Sequence, residues 1–332
     1  MKYIIIILGV LACSNLFGQI ENYLDYQKQI NQAELSLVRG NKKAAFDFYY
    51  TALQKSNGNF TKDVYNALLL SSELSEDDAF FTFLDLLIPK GLKNTYLNKY
   101  FEEYHDDVRW KDFLKRNKNH VLIKKELKIK MDSLTIKDQF FRIKKGSYDV
   151  YGDTINKIDS LNMNFLFDLV VTNQFPGENE IGVRNFAGGQ GYDIVFHHYT
   201  QGTSLDDKKL KITPLLVNLV LEGRILPNKA SLWLELQNGE YSAGVFDILN
   251  FKVNDVVSDW YISKYTDRKK VIINEYRKWL GMETLDEYCE KFLFSVNTPK
   301  AKYIFDIQRS THHMDEAMFN EFVPYLEKLK KN

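Results

Sequence analysis

Four side chains carry the chemistry this sequence offers most directly: Asp138, Gln139, Arg142 and His198. Asp138 and Arg142 stand four apart, so on a helix they share one face and can pair, with Gln139 beside them. A carboxylate, an amide and a guanidinium so placed can hold a polar ligand. A histidine brought against the carboxylate would add an acid–base pair. The same residues can equally form a surface ion pair on a polar helix face.

Other candidates carry weaker signals. His197 and His198 are consecutive, and consecutive helix positions point roughly 100° apart, so the two are not set to chelate one metal. No His-Glu-x-x-His, Cys-x-x-Cys or Gly-x-Ser-x-Gly spacing occurs, so neither a cofactor nor a metal is called for. His312 and Glu316 stand at i, i+4 and read better as a solvated helix face than as ligands. Ala187 to Gly191 carries three glycines that could turn backbone N–H groups toward an anion. It lacks the Lys-Ser/Thr of a phosphate loop and reads as a turn. Cys289 lies among Leu285, Tyr288 and Phe292, which suits a core thiol better than a nucleophile.

These residues need elements to position them. A helix is expected from Val121 to Lys144, bearing Asp138 and Arg142, and another from Asp159 to Val171, stopped by Phe175-Pro176-Gly177. Thr213-Pro214 to Gly223 reads as a buried helix, apolar nearly all round. Leu232, Leu234 and Leu236 then alternate with polar residues ahead of Asn238-Gly239, and Tyr241 to Val253 is strand-like, which together predict a β-hairpin. Helices follow from Thr266-Asp267 to Gly281 and from Glu283 to Phe292. The tail from Ser310 to Lys331 reads as an amphipathic helix kinked at Pro324.

Upstream, residues 20 to 117 read as helices with polar turns and an internal period of 34. That spacing pairs Ala33 with Ala67, Ala45 with Ala79, Tyr49 with Phe83 and Ala52 with Leu86. Short side chains let two helices approach, and larger apolar ones three or four away fill the seam. This arrangement resembles the tetratricopeptide repeat, which implies stacked helical hairpins presenting a groove to a peptide or protein. From Met131 to Tyr288 the order of landmarks is similar to a bacterial domain family of unknown function. Those landmarks are Asp138-Gln139-x-x-Arg142, the turn at Gln174-Phe175-Pro176, His198, a hairpin, and Arg277, Gly281, Leu285 and Tyr288. The Asp-Arg pair of that family's first hairpin strand is replaced by Leu234 and Glu235. The resemblance therefore implies that part of any active site the family has is missing here.

The first residues have the parts of an export signal: Lys2, an apolar run centred on Ile4 to Ile7, and Phe17-Gly18-Gln19 as a cleavage site. An alternative ending is Val10-Leu11-Ala12-Cys13, which resembles a lipobox and would acylate Cys13. The 332 residues carry 44 Lys+Arg against 44 Asp+Glu, a balance that argues against an electrostatic nucleic-acid binder.

The expected fold is mainly α, with N-terminal helical hairpin repeats and an α+β domain containing one β-hairpin. Its parts are a signal peptide (1–18), a tetratricopeptide-like region (20–117), a mixed α+β domain (121–294) and a helical tail (295–332). The expected function is that of an exported bacterial binding protein of the cell envelope, periplasmic or secreted, with a protein or peptide partner. Contact with a membrane is expected only through a lipid anchor at Cys13. The alternative is a hydrolase-type enzyme using Asp138, Arg142 and His198.

Overall fold

Short side chains at fixed spacing decide how the first helices meet. In the computed structural model, which describes residues 14–55, 59–203, 213–238, 243–245, 248–254, 256–298 and 302–330, the described residues begin with four helices. They are α1 (Ser14–Val38), α2 (Lys42–Lys55), α3 (Thr61–Leu74) and α4 (Asp77–Asp85). Ala33, Ala45, Ala52 and Ala67 are buried in the seams between them, as the spacing of 34 predicts, whereas Ala79 is only partly buried. Gly40 and Ser75 adopt left-handed backbone conformations that turn the chain between paired helices. Residues 1–13, with Cys13 and most of the apolar leader, lie outside the described residues, while Ser14 to Gly18 belong to α1.

Aromatic packing closes this layer. After the short helix α5 (Asn94–Leu97), α6 (Val108–Asn119) is N-capped by Asp107 and buries Trp110 and Phe113. Tyr104 stacks on Phe80 with ring centroids 3.9 Å apart, and Tyr65 stacks on Phe186 at 4.3 Å. The second contact carries the apolar core past His120 without a break, and one buried cluster runs from Tyr23 to Phe305.

The middle of the chain is built on a helical hairpin, α7 (Lys125–Arg142) and α8 (Ser147–Val171), with Gly146 in a left-handed turn between them. The short α9 (Glu178–Ile181) follows, and α10 (Asp193–Thr203) packs on α7, α8 and α12. The buried α11 (Thr213–Leu221) forms where Thr-Pro and Gly223 bracket it. α12 (Pro227–Asn238) corrects the expected hairpin, because Leu232, Leu234 and Leu236 lie on a helix. Pro227 opens it as a first-turn proline, and Ala230, Trp233 and Leu234 are buried at helical spacing, with Trp233 stacked on Phe196 at 4.6 Å. A short alternation of leucines is compatible with either period, and the proline with tertiary burial decides it. Gly239 and Tyr241 of the expected turn lie outside the described residues.

The observed sheet has five strands: β1 (Ile248–Val253), β2 (Val256–Val257), β3 (Tyr261–Ser263), β4 (Ser310–Met314) and β5 (Leu326–Lys328). β1 pairs antiparallel with β2 and β3, and β3 antiparallel with β5. β4 runs parallel to β1 with Phe251 opposite His312. The tail is therefore not one helix. Its first residues complete a ladder, and Asp315 then caps α15 (Glu316–Phe322) by accepting from the Met318 N–H. Pro324 sits in a 3₁₀ turn before β5. His312 and Glu316 fall on different elements and share no helix face. Between the strands, α13 (Asp267–Trp279) and α14 (Leu285–Asn297) are capped by Thr266 and Thr284, the latter in a capping box with Glu287. The chain is thus mainly α with a small β region near its C-terminus.

A chain of buried charges ties the two ends of the sequence together. Lys291 on α14 reaches Glu34 on α1 at 2.5 Å and Glu283 at 2.8 Å. Glu34 also holds Lys62 on α3 at 2.8 Å, and Lys62 holds Asp63 at 2.5 Å. Glu283 lies 3.4 Å from Arg277, which donates to the Ala243 carbonyl and stacks over Tyr288. Burial drives the Glu34 carboxyl up, but the Lys291 and Lys62 ammonium groups outweigh it and hold it below the usual carboxylate range.

Two substitutions test these contacts. Ala45→Leu should overpack the α1–α2 seam and cost roughly 1–3 kcal/mol, while Ala79→Leu, at a partly exposed position, should cost less. Equal denaturant midpoints for both variants and the parent chain would show that Ala45 does not face a seam. Lys291→Met leaves Glu34 and Glu283 buried with one cation fewer. It should lower the unfolding free energy by roughly 3–5 kcal/mol in urea titration, and a change under 1 kcal/mol would deny the network its role.

Candidate functional site

The hairpin brings the sequence-predicted residues together. Asp138 and Gln139 lie on the last two turns of α7, Arg142 ends it, and His198 lies on α10, packed across them. His198 Nδ1 is 2.8 Å from Asp138 Oδ2, and Gln139 Nε2 donates to the same oxygen at 2.7 Å. Arg142 Nη1 lies 3.1 Å from Asp138 Oδ1 and donates to its own i−4 carbonyl, that of Asp138, at 2.7 Å. The Asp138 side chain is fully buried, whereas that of His198 keeps 17% of its surface.

Two further members come from α8. Arg142 Nη2 donates to both carboxylate oxygens of Asp159, at 2.8 and 2.7 Å, and the Tyr148 hydroxyl accepts from Nε and Nη2. Burial raises the Asp159 carboxyl above its ordinary value, with the Arg142 guanidinium opposing and not cancelling it. Burial also pulls the Arg142 guanidinium down, but its bonds to Asp159 and the nearby carboxylates leave it raised. The sequence reading missed both partners. It started the second helix at Asp159, yet helical periodicity continues upstream to Ser147 and lines Asp159 up with Asn162 and Leu166 on the buried face.

With Nδ1 held by Asp138, a neutral His198 keeps Nε2 as its acceptor. Beside it His197 lines a cleft of about 370 Å³ with Thr135, Arg184, Gln190, Lys229, Trp233 and Gln308 among its walls. Thr135 lies one helical turn before Asp138 and donates to the Gly191 carbonyl at 2.6 Å. A side chain at position 191 would collide with that hydroxyl, which explains one glycine of the Gly-Gly-Gln-Gly loop by close packing. Lys229 is paired with Asp193 at 2.9 Å and Arg184 with Asp132 at 3.0 Å. The cleft therefore has its charges matched, and most of its exposed lining, Ile194, Leu232 and Trp233 included, is apolar.

Other expected candidates fall elsewhere. Cys289 is partly buried, and burial pushes its thiol up to about 12, away from thiolate chemistry. Arg277, Leu285 and Tyr288 are buried structural residues, and Gly281 has a left-handed backbone pressed against Leu24 and Gln27 of α1. Among the described residues no three His, Cys, Asp or Glu side chains are grouped to hold a metal ion. Among the same residues no helix is long and apolar enough to cross a membrane. Comparison with protein-family models, with curated proteins and with solved structures finds no match for this chain.

Burial, and then the neighbouring His198, push the His197 imidazole below its ordinary value of 6.5. A lowered histidine favours the fold in its neutral form, so that contribution is present above the ordinary value and is lost as pH falls through the folded one. An NMR titration of the imidazole protons should place the His197 midpoint below 6.5, and His198→Asn should move it upward by removing one of the two causes. A His197 midpoint at or above 6.5 in the parent chain would contradict the packing described.

Proposed function

We infer that this chain is an exported binding protein of the bacterial cell envelope, periplasmic or secreted, rather than an enzyme. One observation carries the reading: the chemistry of the cluster is already spent inside the protein. Asp138 takes donors from His198, Gln139 and Arg142, and Arg142 is divided between Asp138, Asp159 and Tyr148. A general base needs a free lone pair toward its substrate, and an anion clamp needs free N–H groups. Asp138 and Arg142 have neither to spare. Their network instead fixes the hairpin and α10 and holds His197 in the wall of the cleft. That cleft, mostly apolar with a few polar groups in its walls, suits a small ligand or a peptide side chain that joins apolar surface to a few hydrogen bonds. The helical pairs of residues 20–117, read as tetratricopeptide-like, offer a separate surface to a protein or peptide partner.

A second reading has its own observation. A buried carboxylate held on Nδ1 fixes the His198 ring and leaves Nε2 as its acceptor, the arrangement by which an imidazole becomes a general base in a hydrolase. It lacks an assignable nucleophile or oxyanion donor set among the described residues.

The test is a substrate screen of the whole secreted chain against peptidase, esterase, glycosidase and phosphatase probes, beside Asp138→Asn and His198→Ala. Circular dichroism melts would verify that the variants fold. The binding reading expects no turnover in any of the three proteins. Turnover in the parent chain that drops about a hundredfold or more in folded His198→Ala would replace it with the hydrolase.

A further inference from the structure

One side of the α7–α8 hairpin is largely apolar, and among the described residues only these two helices line it. Between the two helices runs an open groove of about 570 Å³, with Leu134, Phe141, Ile158 and Phe165 along it and Phe140 and Leu161 at its walls. On α7 its lining runs from Lys130 to Phe141. At 1.5 Å per residue that span is about 16 Å, the length of roughly three turns of a second helix.

Beside the groove α7 exposes Ile129, Ile136 and Phe140, and Ile143 just past its end, each with half or more of its surface in water. Their spacing of seven, four and three is that of a coiled-coil seam, and Phe140 belongs both to the seam and to the groove. A long apolar stripe on one helix next to a furrow between two is a shape that a third helix fills by inserting its own side chains.

Charge selects the kind of helix. The only charged residues in the groove lining are Lys130 and Lys137, and both are exposed. Neither has a carboxylate partner among the described residues. Five more lysines lie in the sequence between residues 124 and 145, namely 124, 125, 128, 144 and 145, of which Lys124 is held by Glu180 and Lys128 by Asp132. The acids of α7 are largely withdrawn: Asp138 is buried with His198 and Arg142, and Asp132 is held by Lys128 and Arg184. The exposed carboxylates Glu126, Asp149, Asp153 and Asp168 lie outside the lining.

We propose that this face is a docking site for an amphipathic helix of a partner protein, with isoleucine or leucine in heptad spacing and glutamate or aspartate alongside. A concave furrow with a heptad seam favours a helix over a flat lipid surface, and a lysine-lined rim disfavours a second copy of the same face. The proposal rests on the binding reading above and places that binding at the hairpin rather than in the His197 cleft.

The experiment uses the whole chain and fluorescence anisotropy with three probes. One is a labelled helical peptide of about three heptads with leucine at a and d and glutamate at e and g. The second has lysine in place of glutamate, and the third is a phosphatidylglycerol vesicle. The glutamate peptide should bind, and the lysine peptide at least about tenfold more weakly, a difference of about 1.4 kcal/mol. The double variant Lys130→Glu/Lys137→Glu should reverse that preference. Ile136→Ser with Leu161→Ser should abolish binding without lowering the melting temperature, because both side chains are exposed. Equal binding of both peptides, failure of the glutamate peptide to bind, or binding unaffected by the serine pair would overturn the proposal. So would capture of the vesicles without the peptide, or a dimer in light scattering that the serine pair disperses. Turnover in the substrate screen would sink the binding reading of the cluster while leaving peptide binding at this face to be judged by these outcomes alone.

Discussion

A line of alternating charges, buried from end to end, fixes how the first helices sit on the last. It runs from Arg277 through Glu283, Lys291, Glu34 and Lys62 to Asp63, where the Tyr26 hydroxyl donates at 2.6 Å. Three cations and three anions leave no net charge. Each one loses hydration worth several kcal/mol on burial, and only the neighbour of opposite sign offsets it. No member can therefore leave alone. The helices α1, α3 and α14 are bound into one arrangement, because any slip would strand a charge in a medium of low dielectric. Gly281 completes the fit, since its missing side chain lets the turn before α14 press against α1.

The same logic recurs where α9 meets the N-terminal layer. The Glu178 carboxylate accepts from the Thr61 hydroxyl and backbone N–H and from Lys90, and the Lys90 carbonyl accepts from the Val183 N–H. Burial lowers the Lys90 ammonium below its usual value, with Glu178 opposing. This knot sits between the aromatic layer of Tyr65 and Phe186 and the hairpin that carries Asp138 and Asp159. The hairpin is thereby anchored at the Lys125 end of α7, while Ile143, Tyr148 and Val150 at its turn are exposed. α10 covers one side of the hairpin, and an open groove is left on another.

Part of this was legible in the sequence because local rules wrote it. Asp138 and Arg142 pair as helical spacing dictates, and Thr213-Pro214, Thr266 and Thr284 open helices where caps are expected. Ala33, Ala45 and Ala67 are buried as the period of 34 implies. What escaped was set by distant partners. Glu34, Lys62 and Lys291 look like solvated surface charges until partners 28 positions away (Glu34 with Lys62) and 257 away (Glu34 with Lys291) are placed beside them. Their only local sign is company, as with Glu34 between Ala33 and Leu35. Asp159 and Tyr148 were missed because the start of α8 was placed too late. The leucines of α12 alternate as a strand would, and tertiary burial of Trp233 against Phe196 overrode the pattern. The tail failed for a related reason: Thr311 and His312 become strand because β1 presents an open edge, which no pattern inside the tail records.

Matched burial also sharpens the functional argument. Throughout the interior, charges meet opposite charges at short range, in the Glu34 network, at Glu178 and around Asp138 alike. A catalytic group must depart from that economy and keep one bond unmade for its substrate. In the cluster on α7, α8 and α10 the departure is confined to one imidazole edge of His198. The larger departures lie outside, where Lys130 and Lys137 have no acid partner among the described residues and Ile129, Ile136 and Ile143 are exposed. Unmatched apolar surface rimmed by unmatched charge is what a recognition face presents before its partner arrives. On the proposed binding reading, association falls to this exposed side of the α7–α8 hairpin, whose groove Lys130 and Lys137 line.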